Sequence, residues 1–512
     1  MSKYNAGRIT VTRDEKEDKV SIERIDRLIF WLFLAALTLI PLVIGAKANL
    51  FVSPSISGTG ITSTGYQLDF FTYFKFVSLL IITLLSLGIF LYKVLFLNYK
   101  IKWDVLSFSI IAFIVSLTLS VIFAEYKSIA LWGLYNRYDG AITFISYAVL
   151  MFIAIHITYP KNALSKLVYT LYPFVWINVI IALMNLYGVN ILQNANFHDI
   201  FTLFLIDEMA INEGSVLTGT LNQWNYMSGY SAVMAIIFLT LAIFKGSIKS
   251  RVVNLMTAVA SFLTILASTS TSGFITLVIM TVLLMILAIV KKNKKKAIVW
   301  LGIFIILASS STGLLSKQNP KVWDESVGFF IKTNPFVKLD GAFLELNFPN
   351  YKVEAAESTL ELPTLAERYY SAGSGRTYIW VKVLELVKEK PITGYGLDTL
   401  TYHFPQNDIN KRSGMFDENI IIDKPHNFFI NILYGSGLLG FLSLICFVSI
   451  YSFKLFKYVI KDKQSPIIWA FILGWGAFLI QGIFNDSVIG ATIVPFLSIS
   501  IIYAISKRNI KE

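Results

Sequence analysis

The chain has 512 residues, 55% of them hydrophobic, with a mean hydropathy of +0.64 and a formal net charge of +12. That composition excludes an array of soluble domains and describes a polytopic membrane protein. The positive charge does not point to nucleic acid, because the basic residues are scattered over separate turns rather than gathered on one face.

Apolar runs of about 17–25 residues, each long enough to cross a ~30 Å hydrocarbon core as helix, fall near 28–46, 72–92, 104–124, 141–158, 165–187, 227–244, 252–268, 273–290, 297–315, 433–453, 467–485 and 487–505. The expected fold is therefore all-α, with about twelve transmembrane helices. With the amino terminus inside, the two termini and the even-numbered turns hold about 27 of the 44 Lys and Arg residues, Lys291, Lys292 and Lys294 to Lys296 among them. The short turns on the other side and their edges hold Lys47, Lys75, Lys127 and Arg137. This asymmetry puts both termini in the cytoplasm. The domain reading is a cytoplasmic tail at 1–27, helices one to nine at 28–315, a large extracytoplasmic loop with amphipathic helices at 316–426, helices ten to twelve at 427–506 and a short tail at 507–512. Cys446 is the single cysteine, so no intrachain disulfide forms. Ala46-Lys47-Ala48 looks like a signal-peptidase site, but the apolar run before it is too long for a signal peptide and reads as an uncleaved first helix.

In chain order, residues 1–27 mix both charge signs and read as a solvated, partly disordered tail. The Gly-, Ser- and Thr-rich turn 49–69 reads as a flexible loop. The turn 126–140 packs aromatics around Arg137 and Asp139. Arg137 can pair with Asp139, sit at headgroup level, or clamp phosphate at the outer surface, since a planar guanidinium binds pyrophosphate oxygens bidentately. The segment 188–226 carries His198 and then Asn222, Trp224, Asn225 and Tyr226 at a helix entrance. Amides and aromatics so interleaved suit sugar hydroxyls and sugar faces, and equally an interfacial aromatic belt. The small hydroxylated run 268–273 allows close helix packing.

The loop 316–426 is polar, and within it Ile379, Trp380, Val383, Leu384, Leu386 and Val387 recur at helical spacing. They predict a short amphipathic helix, ended by Pro391, that lies on the membrane surface or packs on the bundle. Arg376 falls in its first turn, where a cation opposes the helix dipole, so local stability does not explain it; a bound anion does, or an ordinary surface salt bridge with a nearby Glu. Arg368 is a candidate second arm, or an ordinary partner for a nearby Glu. His426, one of four histidines, follows Pro425 at the mouth of an apolar helix and precedes Asn427. With an unperturbed pKa of about 6.5 it can take a proton from a hydroxyl near neutral pH, or serve only as an interfacial packing residue. Gly435-Ser-Gly437-Leu-Leu-Gly440 matches a dinucleotide fingerprint but lies in a spanning segment after no strand, so it reads as close helix packing. No metal-ligand spacing and no P-loop is present, so neither metal nor cofactor is expected.

Gly375-Arg376…Trp380, Lys390-Pro391-Ile-Thr-Gly394-Tyr395-Gly396…Asp398, and His426-Asn427…Gly435-Ser-Gly437-Leu-Leu-Gly440 together resemble the O-antigen ligase/polymerase family of bacterial membrane glycosyltransferases. Gly133…Arg137-Tyr138-Asp139-Gly140, Gly219-Thr-Leu-Asn222…Asn225-Tyr226 and Gln481-Gly-Ile-Phe-Asn485-Asp486-Ser487 are similar to the same family. The resemblance implies a GT-C-like enzyme of the cytoplasmic membrane that moves glycan from an undecaprenyl-diphosphate carrier to a lipid, protein or glycan acceptor outside, as ligase or polymerase, among membrane lipids and without metal. It implies His426 as the base on the acceptor hydroxyl, with Arg376 and Arg137 holding the diphosphate. Where the family often has Arg before a glycine at the start of helix eight, this chain has Ser272, which removes one expected phosphate contact. Arg368, Asn427, Asn222, Trp224, Asn225, Tyr395 and Asp398 complete the expected substrate-binding set. The competing class is a transporter or flippase, since twelve helices suit a two-times-six architecture; it should place its polar site near the midplane, and no internal half-repeat is evident.

Overall fold

The structure, a computed structural model, describes residues 15–54, 62–191, 199–200, 202–203, 219–221, 223–244, 246–331, 333–334, 375–411, 415, 420–460 and 465–508. The chain runs α1 (Glu15–Leu39), β1 (Lys47–Phe51), β2 (Gly65–Asp69), α2 (Tyr73–Phe96), α3 (Val105–Phe123), α4 (Lys127–Trp132), α5 (Ala141–His156), α6 (Ala163–Tyr169) and α7 (Tyr172–Leu186). It continues with α8 (Trp224–Phe244), α9 (Ile248–Ala267), α10 (Thr271–Val290), α11 (Lys294–Gln318), α12 (Lys321–Asp324), α13 (Arg376–Glu389), α14 (Leu400–His403), α15 (Phe428–Ile460), α16 (Pro466–Phe484) and α17 (Ile489–Arg508).

Among the described residues, ten helical stretches are long and apolar enough to cross a membrane, α6 and α7 together making one of them. The other two expected runs take different forms. The run at 141–158 becomes α5, apolar but only 16 residues long. The run at 28–46 is the second half of α1, which ends at Leu39 just ahead of Pro41. The first half of α1 is the charged stretch expected as disordered tail. From Glu15 on it is helical, because Glu, Lys and Arg are good helix formers and the stretch has a buried anchor. That anchor is Asp26, which meets Lys93 at 2.6 Å with both side chains fully buried, and accepts the Thr158 amide at 2.8 Å.

The turn 49–69, expected only as a flexible loop, has ends that pair as an antiparallel hairpin in register Lys47↔Asp69 to Phe51↔Gly65. Its base is fixed because Ala46, Phe70 and Phe71 bury together beneath it. Asp69 then accepts the amides of Phe71 (3.2 Å), Thr72 (3.1 Å) and Tyr73, satisfying donors that open α2. Asp69→Ala strands these amides and removes a carboxylate that acts on the buried Lys75 ammonium, which itself donates to Val43 O and Phe71 O. We expect a loss of about 2 kcal/mol, seen as a lower midpoint in thermal unfolding of the detergent-solubilised protein; an unchanged midpoint would dismiss the cap.

α8 and α17 form the centre and are buried along nearly their whole length, as befits helices apolar on every side. Small residues let their neighbours approach closely. A Cβ on Gly229 would sit 2.3 Å from Gln481 Oε1, one on Gly273 2.3 Å from Ser228 Oγ, and one on Gly474 2.6 Å from Ile237.

α13 forms where the spacing predicts it and packs on the bundle. Ile379 and Val383 join Tyr395, Leu400, Phe404, Ile422 and Tyr434 in a second small core. Below that core α15 is interrupted at Gly437 (φ 63°, ψ −167°). The segment after Pro391 fills the interruption. Tyr395 N donates to Tyr434 O (3.0 Å) and Gly396 N to Gly435 O (2.9 Å), while Leu438 N donates to Pro391 O (2.7 Å) and Leu439 N to Ile392 O (3.3 Å). Broken helix at membrane depth is tolerated where protein satisfies the freed groups, and here a loop does so. The Gly-x-Gly run therefore serves close packing, as expected, but against a loop as well as a helix.

Candidate active site

The site is assembled at one end of the bundle, where α2, α5, α8, α10, α15 and α17 begin and α16 ends. Its walls are the loops 133–140, 420–427 and 485–488. Amides in the helix ends hold these loops in place. Gln481 Nε2 donates to Ser272 O (2.8 Å) and Thr276 Oγ1 (2.5 Å), Asn485 Nδ2 donates to Gln481 Oε1 (2.5 Å), and Asn485 O accepts the Phe428 amide (3.0 Å). Tyr138 (φ 49°) and His426 (φ 51°) in the walls, and Asp398 (φ 61°) in the loop after α13, have left-handed backbones. Such conformations persist where the surroundings over-determine them.

His426 Nδ1 lies 2.8 Å from Asp486 Oδ2. The carboxylate can only accept, so Nδ1 carries the proton and Nε2 keeps its lone pair. The imidazole is 41% exposed and the Asp486 side chain wholly buried. Among the described residues nothing hydrogen-bonds Nε2. Burial disfavours the imidazolium, but the Asp486 carboxylate outweighs it and raises the His426 pKa above its ordinary value. Burial likewise opposes ionisation of Asp486, and His426 overrides it, leaving that pKa lowered.

Arg376, first residue of α13 behind Gly375 (φ 89°), has no hydrogen-bond or ion-pair partner among the described residues. Burial lowers its pKa, and the carboxylate that acts against this is Asp486, the same one that holds His426. Trp380, one turn on, donates Nε1–H to Pro425 O at 2.7 Å, so α13 is pinned to the strand of backbone that carries His426.

Arg137 does not pair with Asp139. Its Nη1 is 2.5 Å from Asp423 Oδ2 and its Nε 3.2 Å from Asp398 Oδ1, while Asp398 Oδ2 also accepts the Leu134 amide at 2.7 Å. Asp139 instead meets Lys424 Nζ at 2.8 Å and accepts Ser487 Oγ at 2.8 and 2.6 Å. Burial pushes the Asp139 pKa up to about 6, with Lys424 working against the rise.

Of the other expected residues, Asn427 is buried, and its Oδ1 accepts the amides of Phe429 and Ile430 (both 3.0 Å) as the cap of α15. Asn225 Oδ1 accepts Ser270 Oγ at 2.7 Å, and Trp224 is 56% exposed at the start of α8. Tyr395 stacks on Tyr434 and donates to Glu389 at 2.6 Å, within the second core. Arg368, Asn222 and His198 lie outside the described residues. Sequence reasoning missed Asp486, Asp423 and Lys424 as members of the site. The available signal was an Asn-Asp-Ser run caught between two strongly apolar helices. No group of three or more His, Cys, Asp or Glu side chains among the described residues is arranged to hold a metal ion.

The chain matches no curated protein. A family model does match residues 256–445, a span that contains α10, α11, α13, Arg376 and His426 and stops short of Asp486. That model is described as O-antigen ligase, and over those residues the chain is similar to that family.

Proposed function

We propose that the chain transfers glycan from an undecaprenyl-diphosphate carrier to an acceptor hydroxyl at the outer face of the cytoplasmic membrane, as ligase or repeat-unit polymerase. The observation that carries this reading is the His426–Asp486 pair: a half-exposed imidazole whose Nδ1 is held at 2.8 Å by a buried carboxylate, leaving Nε2 open. Nε2 takes the acceptor proton as the acceptor oxygen bonds to the anomeric carbon, and the carbon–oxygen bond to the diphosphate breaks with its electron pair leaving on the phosphate oxygen. The carrier diphosphate is already a good leaving group, so orientation and charge stabilisation suffice. Arg376 supplies the stabilising guanidinium.

The lysines support the outer face as the side of the membrane. α10 begins at the site and ends at the Lys291–Lys296 turn, at the far end of the bundle. The positive-inside rule assigns that lysine-rich end to the cytoplasm and the site to the exterior. Polar groups gathered at helix ends, not halfway along the spans, support a transferase over a transporter.

Arg376→Lys tests the reading. A point charge cannot reproduce a bidentate contact, so transfer from a polyprenyl-diphosphate-linked donor should fall about tenfold or more for the loss of one charge-assisted bond. A rate equal to wild type would make Arg376 structural.

A further inference from the structure

Beside His426 lies a polar cavity of about 80 Å³ bordered by Asn136, Arg137, Gln223, Asp423 and Lys424. Its two cations are already neutralised. Arg137 meets Asp398 and Asp423, and Lys424 meets Asp139. Two cations against three carboxylates leave one negative charge in excess. A diphosphate brought here would face that excess in a setting screened little by solvent. What the cavity does offer is unused hydrogen bonding. Arg137 Nη2 and Asn136 Oδ1 are buried without a partner, one a donor and the other an acceptor. Asp423, 30% exposed, adds an acceptor at the rim. Buried polar atoms are ordinarily satisfied, so these await water or a ligand.

We propose that this cavity is the acceptor subsite: it seats hydroxyl groups along one edge of a neutral sugar and presents the next hydroxyl to His426 Nε2, while the diphosphate binds on the Arg376 side. A sugar hydroxyl both donates and accepts, which matches an orphan donor beside an orphan acceptor. The cavity has room for several waters, and so for a hydroxymethyl or a pair of hydroxyls. The inference rests on the transferase reading above and assigns its two substrates to opposite sides of one imidazole.

The test uses the purified full-length chain in detergent, titrated by intrinsic tryptophan fluorescence with farnesyl diphosphate and, separately, with a panel of neutral monosaccharides and disaccharides at millimolar concentration. Asn136→Ala and Asp423→Asn should each weaken sugar binding by about tenfold, the worth of one hydrogen bond to a buried or charged group. They should leave farnesyl diphosphate affinity within about twofold, and Arg376→Ala should do the reverse. If Arg137 were a phosphate clamp, Asp423→Asn would release its guanidinium and tighten farnesyl diphosphate binding; that result overturns the proposal. So does a wild-type protein that binds farnesyl diphosphate but no sugar of the panel, which would leave the cavity a water site. Failure of the wild type to bind farnesyl diphosphate, or binding indifferent to Arg376→Ala, instead removes the transferase reading beneath it. Melting curves for each variant separate lost binding from lost fold.

Discussion

Replacing Asp486 with Asn is expected to cut glycan transfer by about 10²–10⁴-fold, the usual worth of an oriented general base, and to move the acid limb of the pH–rate profile to lower pH. Both effects follow from the 2.8 Å contact. The carboxylate can only accept, so it fixes the proton on Nδ1 and the lone pair on Nε2; an amide can present its NH₂ group instead and stabilise the wrong tautomer. The carboxylate also raises the His426 pKa against the opposing effect of burial. The neutral ring is the active form, so wild-type activity appears as pH rises through that raised value. With the negative charge gone, burial is left to act and the pKa falls, so the remaining activity appears at lower pH. His426→Ala should abolish transfer at every pH while the melting temperature stays near that of wild type. Initial rates from about pH 5 to 9, bracketing the ordinary histidine pKa of about 6.5, distinguish the two variants. An Asp486→Asn enzyme with lowered rate but an unmoved acid limb would reduce Asp486 to a packing role.

Much of this arrangement was open to reading in one dimension because apolar runs and helical periodicity are local properties. The spans from α2 on, the amphipathic α13 ending before Pro391, and His426 at the mouth of α15 all come from such signals. The partners did not, because pairing across a bundle leaves no local trace. Arg137 lies two residues from Asp139 and invites that pairing, yet its guanidinium meets Asp398 and Asp423, more than 250 positions away, and Asp139 takes Lys424. Asp486 sits 60 residues beyond His426, in the Asn485-Asp486-Ser487 run, and nothing local in that run points back to the imidazole. The hairpin at 47–69 was hidden by its Gly- and Thr-rich turn, although Tyr66, Gln67 and Leu68 already alternate in the manner of a strand. The Gly394 and Gly437 runs were each visible, but nothing in either says that one loop completes the hydrogen bonds the other helix lacks.

That completed helix break gives the largest expected effect on folding. Gly437 has φ 63° and ψ −167°, a region essentially confined to glycine, and a Cβ there would lie 2.3 Å from Ile392 O and 2.7 Å from Gly394 N. Neither contact can be relieved by a side-chain rotation, since both are to backbone. Gly437→Ala must therefore either push the 391–396 loop out, stranding the carbonyl of Tyr434 and the amides of Leu438 and Leu439, or straighten α15 and displace everything that follows. We expect a loss of about 3–5 kcal/mol, the range of strain and buried unsatisfied groups combined, read as a large drop in the thermal midpoint. Gly302→Ala is the control, because Gly302 lies within α11 with nothing within 4 Å of an added Cβ, and alanine there should be neutral or mildly stabilising. Activity should fall along with stability at Gly437, because the same loop runs on to Asp398, whose carboxylate holds both Arg137 and the Leu134 amide. Farnesyl diphosphate binding separates the two links: a folded Gly437→Ala protein should still bind it through Arg376 while losing affinity for neutral sugars. A variant with wild-type melting would mean that α15 can carry its load unbroken, and that Asp398 is placed by something other than this loop.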